Sequence, residues 1–150
     1  MGGQTHMTCQ EFLSAMQSRG AFFTPPVTTP QIARINTTLQ QRKRAMIPAF
    51  LNELYTHVGG ISLGSGCIFG PNEIPQGFRY PIPTLLQVNE DMSSVPKIFG
   101  KTIFGRNDLF WFAFDTFGTC YMLDNTTLSP LRKYDDPYRA MTDCLIAGKI

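Results

Sequence analysis

The chain has 150 residues, 43% of them hydrophobic, and thirteen basic side chains against eleven acidic ones leave a formal charge of +2. A chain of this length buries roughly 68–70% of its unfolded surface, enough for one core without cross-links. The balanced charge argues against the concentrated basic face of a nucleic-acid binder, and no apolar run nears the roughly 20 residues that span a bilayer.

Residues 1–7 carry no periodic pattern and read as a disordered leader. Met7 serves as well as Met1 for a natural start, with Met1–His6 then left over from expression. No signal peptide opens the chain, so a cytoplasmic protein is expected. Residues 8–150 read as one domain.

Thr8 and Glu11 have capping-box spacing, and Phe12, Leu13 and Met16 share a helical face before Gly20. A helix over about residues 9–19 follows. The stretch 21–28, with Pro25-Pro26, is expected to be an extended connection. Thr29-Pro30 repeats the grammar of a helix start, and Ile32, Ile35 and Leu39 supply its apolar stripe. Arg42, Lys43 and Arg44 fall at the helix end, where the dipole favours cations and a solvated face is expected. A third helix starts at Pro48, buries Phe50, Leu51, Leu54 and Val58, and stops at Gly59-Gly60.

Ile61–Leu63 and Cys67–Phe69 are short strands around a Gly-Ser-Gly turn. That turn lacks the lysine and the following helix of a phosphate loop. Four prolines between residues 71 and 83 predict little regular structure. Thr84 caps a short helix through Leu85, Leu86 and Val88. From Lys101 the pattern turns to β: Thr102–Phe104 and Leu109–Phe114 are joined through Gly105-Arg106-Asn107. Cys120–Leu123 returns after a turn at Asp115–Gly118, and Leu128–Lys133 follows as an edge strand because Pro130 cannot donate to a ladder. The six-residue apolar run Leu109–Phe114 is apolar at every position, as expected of a central strand covered on both faces. Asp136-Pro137 starts a last helix with Tyr138, Met141, Leu145 and Ile146 inside. Strands clustered between helical flanks predict an α+β fold, an antiparallel meander with helices packed on it.

The chemistry-bearing residues form no catalytic set. Cys9, Cys67, Cys120 and Cys144 include no Cys-x-x-Cys pair, and free buried thiols are expected. His6 and His57 are the only histidines, too few for a multi-histidine metal site. His57 paired with Cys67 or Cys120 is a formal nucleophile arrangement, but thiols inside apolar strands are inert. Glu11, Asp115, Asp124 and Asp136 are accounted for by caps and turns. No cofactor is expected.

Three stretches in order resemble the SUKH superfamily. They are IPAFLNELYTHVGGISL (Ile47–Leu63), a proline-started helix ending in a glycine pair before a strand; IFGRNDLFWFAFD (Ile103–Asp115), a turn leading into an apolar central strand; and FGTCYMLD (Phe117–Asp124), the returning arm. The proline-rich insert at 71–83 has no counterpart in that pattern. The resemblance implies an immunity protein, a non-enzymatic cytoplasmic inhibitor of a secreted toxin encoded beside it. The near-neutral charge argues against simple mimicry of nucleic acid, which leaves a protein- or nucleotide-modifying toxin as the partner that the resemblance implies, with neither nucleic acid nor membrane expected. A regulatory scaffold module and a ligand-binding domain with a pocket beside Cys67 or His57 are the alternatives. Arg79 and Tyr80, of the residue types that dominate interfaces, together with Glu73, Glu90, Asp91, Arg106 and Asn107, are the candidate partner-binding residues.

Overall fold

The computed structural model describes residues 7–76 and 79–146, with the backbone alone at Gln76 and Arg79. Of the expected leader, residues 1–7, Met1–His6 lie outside the described residues, whereas Met7 packs against the core. The first half runs α1 (Cys9–Ser18), β1 (Phe22–Phe23), α2 (Thr29–Gln41), α3 (Ala49–Tyr55), β2 (Ile61–Leu63) and β3 (Gly66–Ile68). The second runs β4 (Ile74–Gln76), β5 (Arg79–Ile82), α4 (Leu85–Asp91), a 3-10 turn at Pro96–Ile98, β6 (Thr102–Arg106), β7 (Phe110–Phe114), β8 (Cys120–Asp124), β9 (Pro130–Tyr134) and α5 (Pro137–Ile146).

Three helices start by one device. The hydroxyls of Thr8, Thr28 and Thr84 accept the backbone N–H of Glu11, Gln31 and Gln87, whose side chains accept the threonine N–H in return. Each box satisfies two amides that the helix itself cannot. The cap of α2 is Thr28, one residue earlier than expected, which places Pro30 in the first turn. Asp136 caps α5 by accepting from the N–H of Tyr138 at 3.0 Å, and it also takes the N–H of Met7 at 3.3 Å.

Seven strands form one sheet in the order β1-β2-β3-β6-β7-β8-β9, every neighbour antiparallel. The fold is α+β, and β6 to β9 form the expected meander. Helix α5 lies on one face of the sheet, where glycine makes room for it. A Cβ on Gly66 would stand 2.4 Å from the carbonyl oxygen of Cys144. Phe50 of α3 meets Phe104 and Phe114 edge-on, with centroids 5.7 and 6.1 Å away.

The structure departs furthest from expectation in four places. Residues 71–83 are more regular than expected, because β4 and β5 pair as a separate two-stranded ribbon. Pro75 and Pro81 are tolerated because such a ribbon leaves many N–H groups outside any ladder. Phe22–Phe23, expected as plain connection, pairs with Ser62 and Ile61 at the sheet edge. The third departure is Arg44, which turns inward instead of staying solvated. Its guanidinium donates to the carbonyls of Ile98 (2.8 Å) and Met92 (2.9 Å), while burial, with Arg42 nearby, lowers its pKa.

The fourth concerns the apolar run. Phe112, Ala113 and Phe114 are fully buried, but Leu109 is 60% exposed and lies before the strand, and Phe110 and Trp111 are half-buried. Coverage on both faces therefore holds only for the second half of the run. Paired residues of adjacent strands share a face. The pairs Cys67–Arg106, Arg106–Trp111 and Trp111–Leu123 thus set these four side by side. Cys67 and Leu123 are buried, while Arg106 and Trp111 are half-exposed at an opening that no helical residue lines among the described residues.

Candidate functional site

Turns and strand ends from four parts of the chain converge around Arg106 and Trp111. The β2–β3 turn brings Gly64 and Ser65, the β4–β5 ribbon Pro75 and Ile82, the β6–β7 turn Asn107 and Asp108, and the β8–β9 turn Asn125. With Ser62, Cys67, Arg106 and Trp111 they line an open groove of about 1010 Å³.

The β6–β7 turn is held by Asn107. Its Oδ1 accepts the backbone N–H groups of Leu109 and Phe110, both at 2.9 Å, and its Nδ2 donates to the carbonyl of Cys144 at 3.1 Å. A side chain spent on three backbone partners shapes the groove and has little left to offer a visitor. Directly before it, Arg106 places its guanidinium carbon 5.6 Å from the centre of the Trp111 ring and 5.8 Å from that of Phe69. A guanidinium over aromatic faces is attracted by their quadrupoles and keeps its hydrogen-bond donors available. No carboxylate among the described residues lies within 4.0 Å of it.

Cys67 stands in the wall beside this cation. Burial pushes its thiol up to about 11, although Arg106 pulls the other way through its charge and a hydrogen bond. At neutral pH the group is a thiol and a poor nucleophile. The other three cysteines are free and buried, as expected, and burial raises each of their pKa values. His57 is exposed at the end of α3 and does not line the groove. Among the described residues no three His, Cys, Asp or Glu side chains gather to hold a metal ion, and no helix is long and apolar enough to cross a membrane.

Of the residues expected to meet a partner, Arg106 and Asn107 are brought together at the groove. Tyr80 projects from β5 with 93% of its surface exposed, outside the groove lining. The side chain of Arg79 lies outside the described residues. Glu73 is exposed just before β4, and Asp91 is exposed at the end of α4. Glu90 is engaged by Arg42 in an ion pair of 2.7 Å. Tyr80, Glu73, Glu90 and Asp91 do not line the groove with Arg106.

Sequence reading missed Trp111 as a groove residue, having placed it in the core; Cys67 was expected beside a pocket only in the ligand-binding alternative, and it does line the groove. A usable signal was present: extending the first strand through Arg106 pairs it with Trp111 across the turn. The sequence matches no family model and no curated protein.

Proposed function

We propose that this chain is a non-catalytic binding protein that receives a protein partner in the groove at the β3–β6–β7 end of its sheet. The observation that supports this reading most is the Arg106–Trp111 pair at an open concave surface. Arginine and tryptophan are enriched among the residues whose truncation costs an interface most. The resemblance to the SUKH superfamily gives the reading its biological form: an immunity protein acting in the cytoplasm on a toxin encoded by an adjacent gene. The test is co-expression with the product of the neighbouring gene. Rescue of growth and a stable complex are expected, and Trp111→Ala should weaken that complex by about 2 kcal/mol or more. Rescue without a complex, or a complex indifferent to Trp111, removes the groove from the reading.

A small-ligand reading draws on the same volume, which lies at the upper end of the range of ligand sites and has Cys67 in its wall. Its openness to solvent favours the protein partner, because sites for small molecules bury most of their ligand.

A further inference from the structure

Arg106 is a cation set among aromatic rings without an acidic partner among the described residues, and its surroundings state what it is suited to receive. Among the described residues the lining of the groove carries one other charge, that of Asp108; Ser62, Ser65, Asn107 and Asn125 are polar and neutral, and Pro75, Ile82 and Trp111 are apolar. A single cation amid neutral and apolar walls is a poor match for a polyanion. A nucleic-acid backbone needs a succession of cations along its track, and here Asp108 would oppose the second phosphate. One carboxylate is a better match. A guanidinium binds it through two parallel hydrogen bonds, and the fork of arginine is rigid enough to select that geometry.

The rings do two things for the cation. Phe69 and Trp111 offer it no hydrogen-bond acceptor, so the donors at its edge stay free apart from the one directed at Cys67. They also restrain it, which lowers the ordering cost when a ligand arrives. The β6–β7 turn beneath is pinned by the three hydrogen bonds of Asn107.

We propose that Arg106 is the carboxylate-receiving subsite of the groove, taking one aspartate or glutamate side chain from a partner segment whose flanking apolar residues rest on Trp111 and Pro75. This rests on the reading of the groove as a protein-binding surface and names the chemistry of the segment it takes. Asp108 disfavours a second acid beside the first, so the preferred segment is a single acid between apolar neighbours.

The sole tryptophan of the chain is the reporter, because it is Trp111. Two blocked pentapeptides, acetyl-Gly-Leu-Glu-Leu-Gly-amide and its glutamine counterpart, are titrated into the full chain while Trp111 fluorescence is followed. The acidic peptide should bind about tenfold more tightly, the lower end expected for hydrogen bonds to a charged group. In Arg106→Gln the two peptides should bind alike. Arg106→Lys, which keeps the charge and loses the fork, should fall between, and thermal unfolding of each variant establishes that it is folded. Equal binding of the two peptides to the native chain, or no binding of either, overturns the proposal. So does discrimination that survives in Arg106→Gln. Displacement of the acidic peptide by a short thymidine oligonucleotide at lower concentration assigns the cation to phosphate and overturns it too. If charge discrimination is absent while Trp111→Ala still breaks the complex with the neighbouring gene product, the subsite fails and the protein-binding reading stands. If discrimination is present and no such complex exists, the reverse holds.

Discussion

The side-chain amide of Asn89 pairs in both directions with the backbone of Ile103, accepting its N–H at 2.8 Å and donating to its carbonyl at 2.9 Å. The same nitrogen donates to the carbonyl of Leu85 at 2.8 Å. Strand β3 pairs with β6 only at Gly105 and Arg106, so the first residues of β6 have no strand on that side. Asn89, buried on α4, takes its place. Replacing it with leucine leaves the Ile103 N–H and carbonyl buried without partners. Asn89→Leu should therefore cost about 2–4 kcal/mol, counting about 1–3 kcal/mol for each group so exposed and allowing for partial relaxation. Urea denaturation measures this, and a loss below about 1 kcal/mol would mean that water replaces the amide.

Of the described glycines, Gly70 leaves the least room for a side chain. A Cβ there would lie 1.9 Å from the carbonyl oxygen of Gly59, in contact with backbone that cannot swing aside. The same residue accepts the N–H of Leu85, joining the start of α4 to the end of β3. Gly70→Ala should cost about 3 kcal/mol or more, at the top of the range for overpacking, and leave little folded protein in a thermal melt. A melting temperature within a few degrees of the parent would show that the two segments separate easily.

Much of this was written locally. The box residues Thr8 and Glu11 and the run of turn residues from Asp115 to Gly118 act within a few positions of themselves, and both did in the structure what their spacing implied. The glycine pair did not: α3 ends at Tyr55 with Thr56 as its cap, and neither Gly59 nor Gly60 has a positive φ. Gly59 instead admits the backbone of Pro25, where a Cβ would stand 2.5 Å from the carbonyl oxygen. Leu128 shows where local reading ends. It is apolar and buried, as a strand residue should be, yet its φ is +60° and β9 starts only at Pro130. The groove was less legible still. Ser62, Pro75, Arg106 and Asn125 are far apart in the chain, and only the sheet order brings them to one end. Trp111 has the composition of a core residue, and its half-exposure depends on what fails to cover it.

Alkaline pH should unfold the protein in a window set by its thiols. Cys67 is neutral in the folded chain and its pKa is raised from 9.0 to about 11, chiefly by burial. The unfolded state thus loses the proton first. Its contribution is complete below pH 9, falls as pH rises from about 9, and is gone near 11, a total of about 3 kcal/mol. Cys120, Cys144 and Tyr55, raised by burial as well, act in the same direction. Stability measured by urea between pH 8 and 11 should fall steadily, and the fall should be shallower in Cys67→Ala. An unchanged slope in that variant would mean that water reaches the thiol from the groove.

Asp143 makes a second buried polar junction, between α5 and the edge strand. Its carboxylate accepts from the Tyr134 hydroxyl at 2.8 Å and from Arg132 at 3.0 Å, with the Arg139 guanidinium at 3.9 Å. Burial and the neighbouring carboxylate both push the Tyr134 hydroxyl up, so it remains a donor. The two arginines are largely exposed, and each alone should matter little. The tyrosine differs, because its hydroxyl has nowhere else to donate once the acid is gone. Asp143→Leu should cost about 2–3 kcal/mol. Tyr134→Phe in that background should cost less than it does alone, giving a coupling of about 1 kcal/mol in a double-mutant cycle. Additive losses would mean that the hydroxyl and the carboxylate act independently, and that Arg132 is the partner that matters to Asp143.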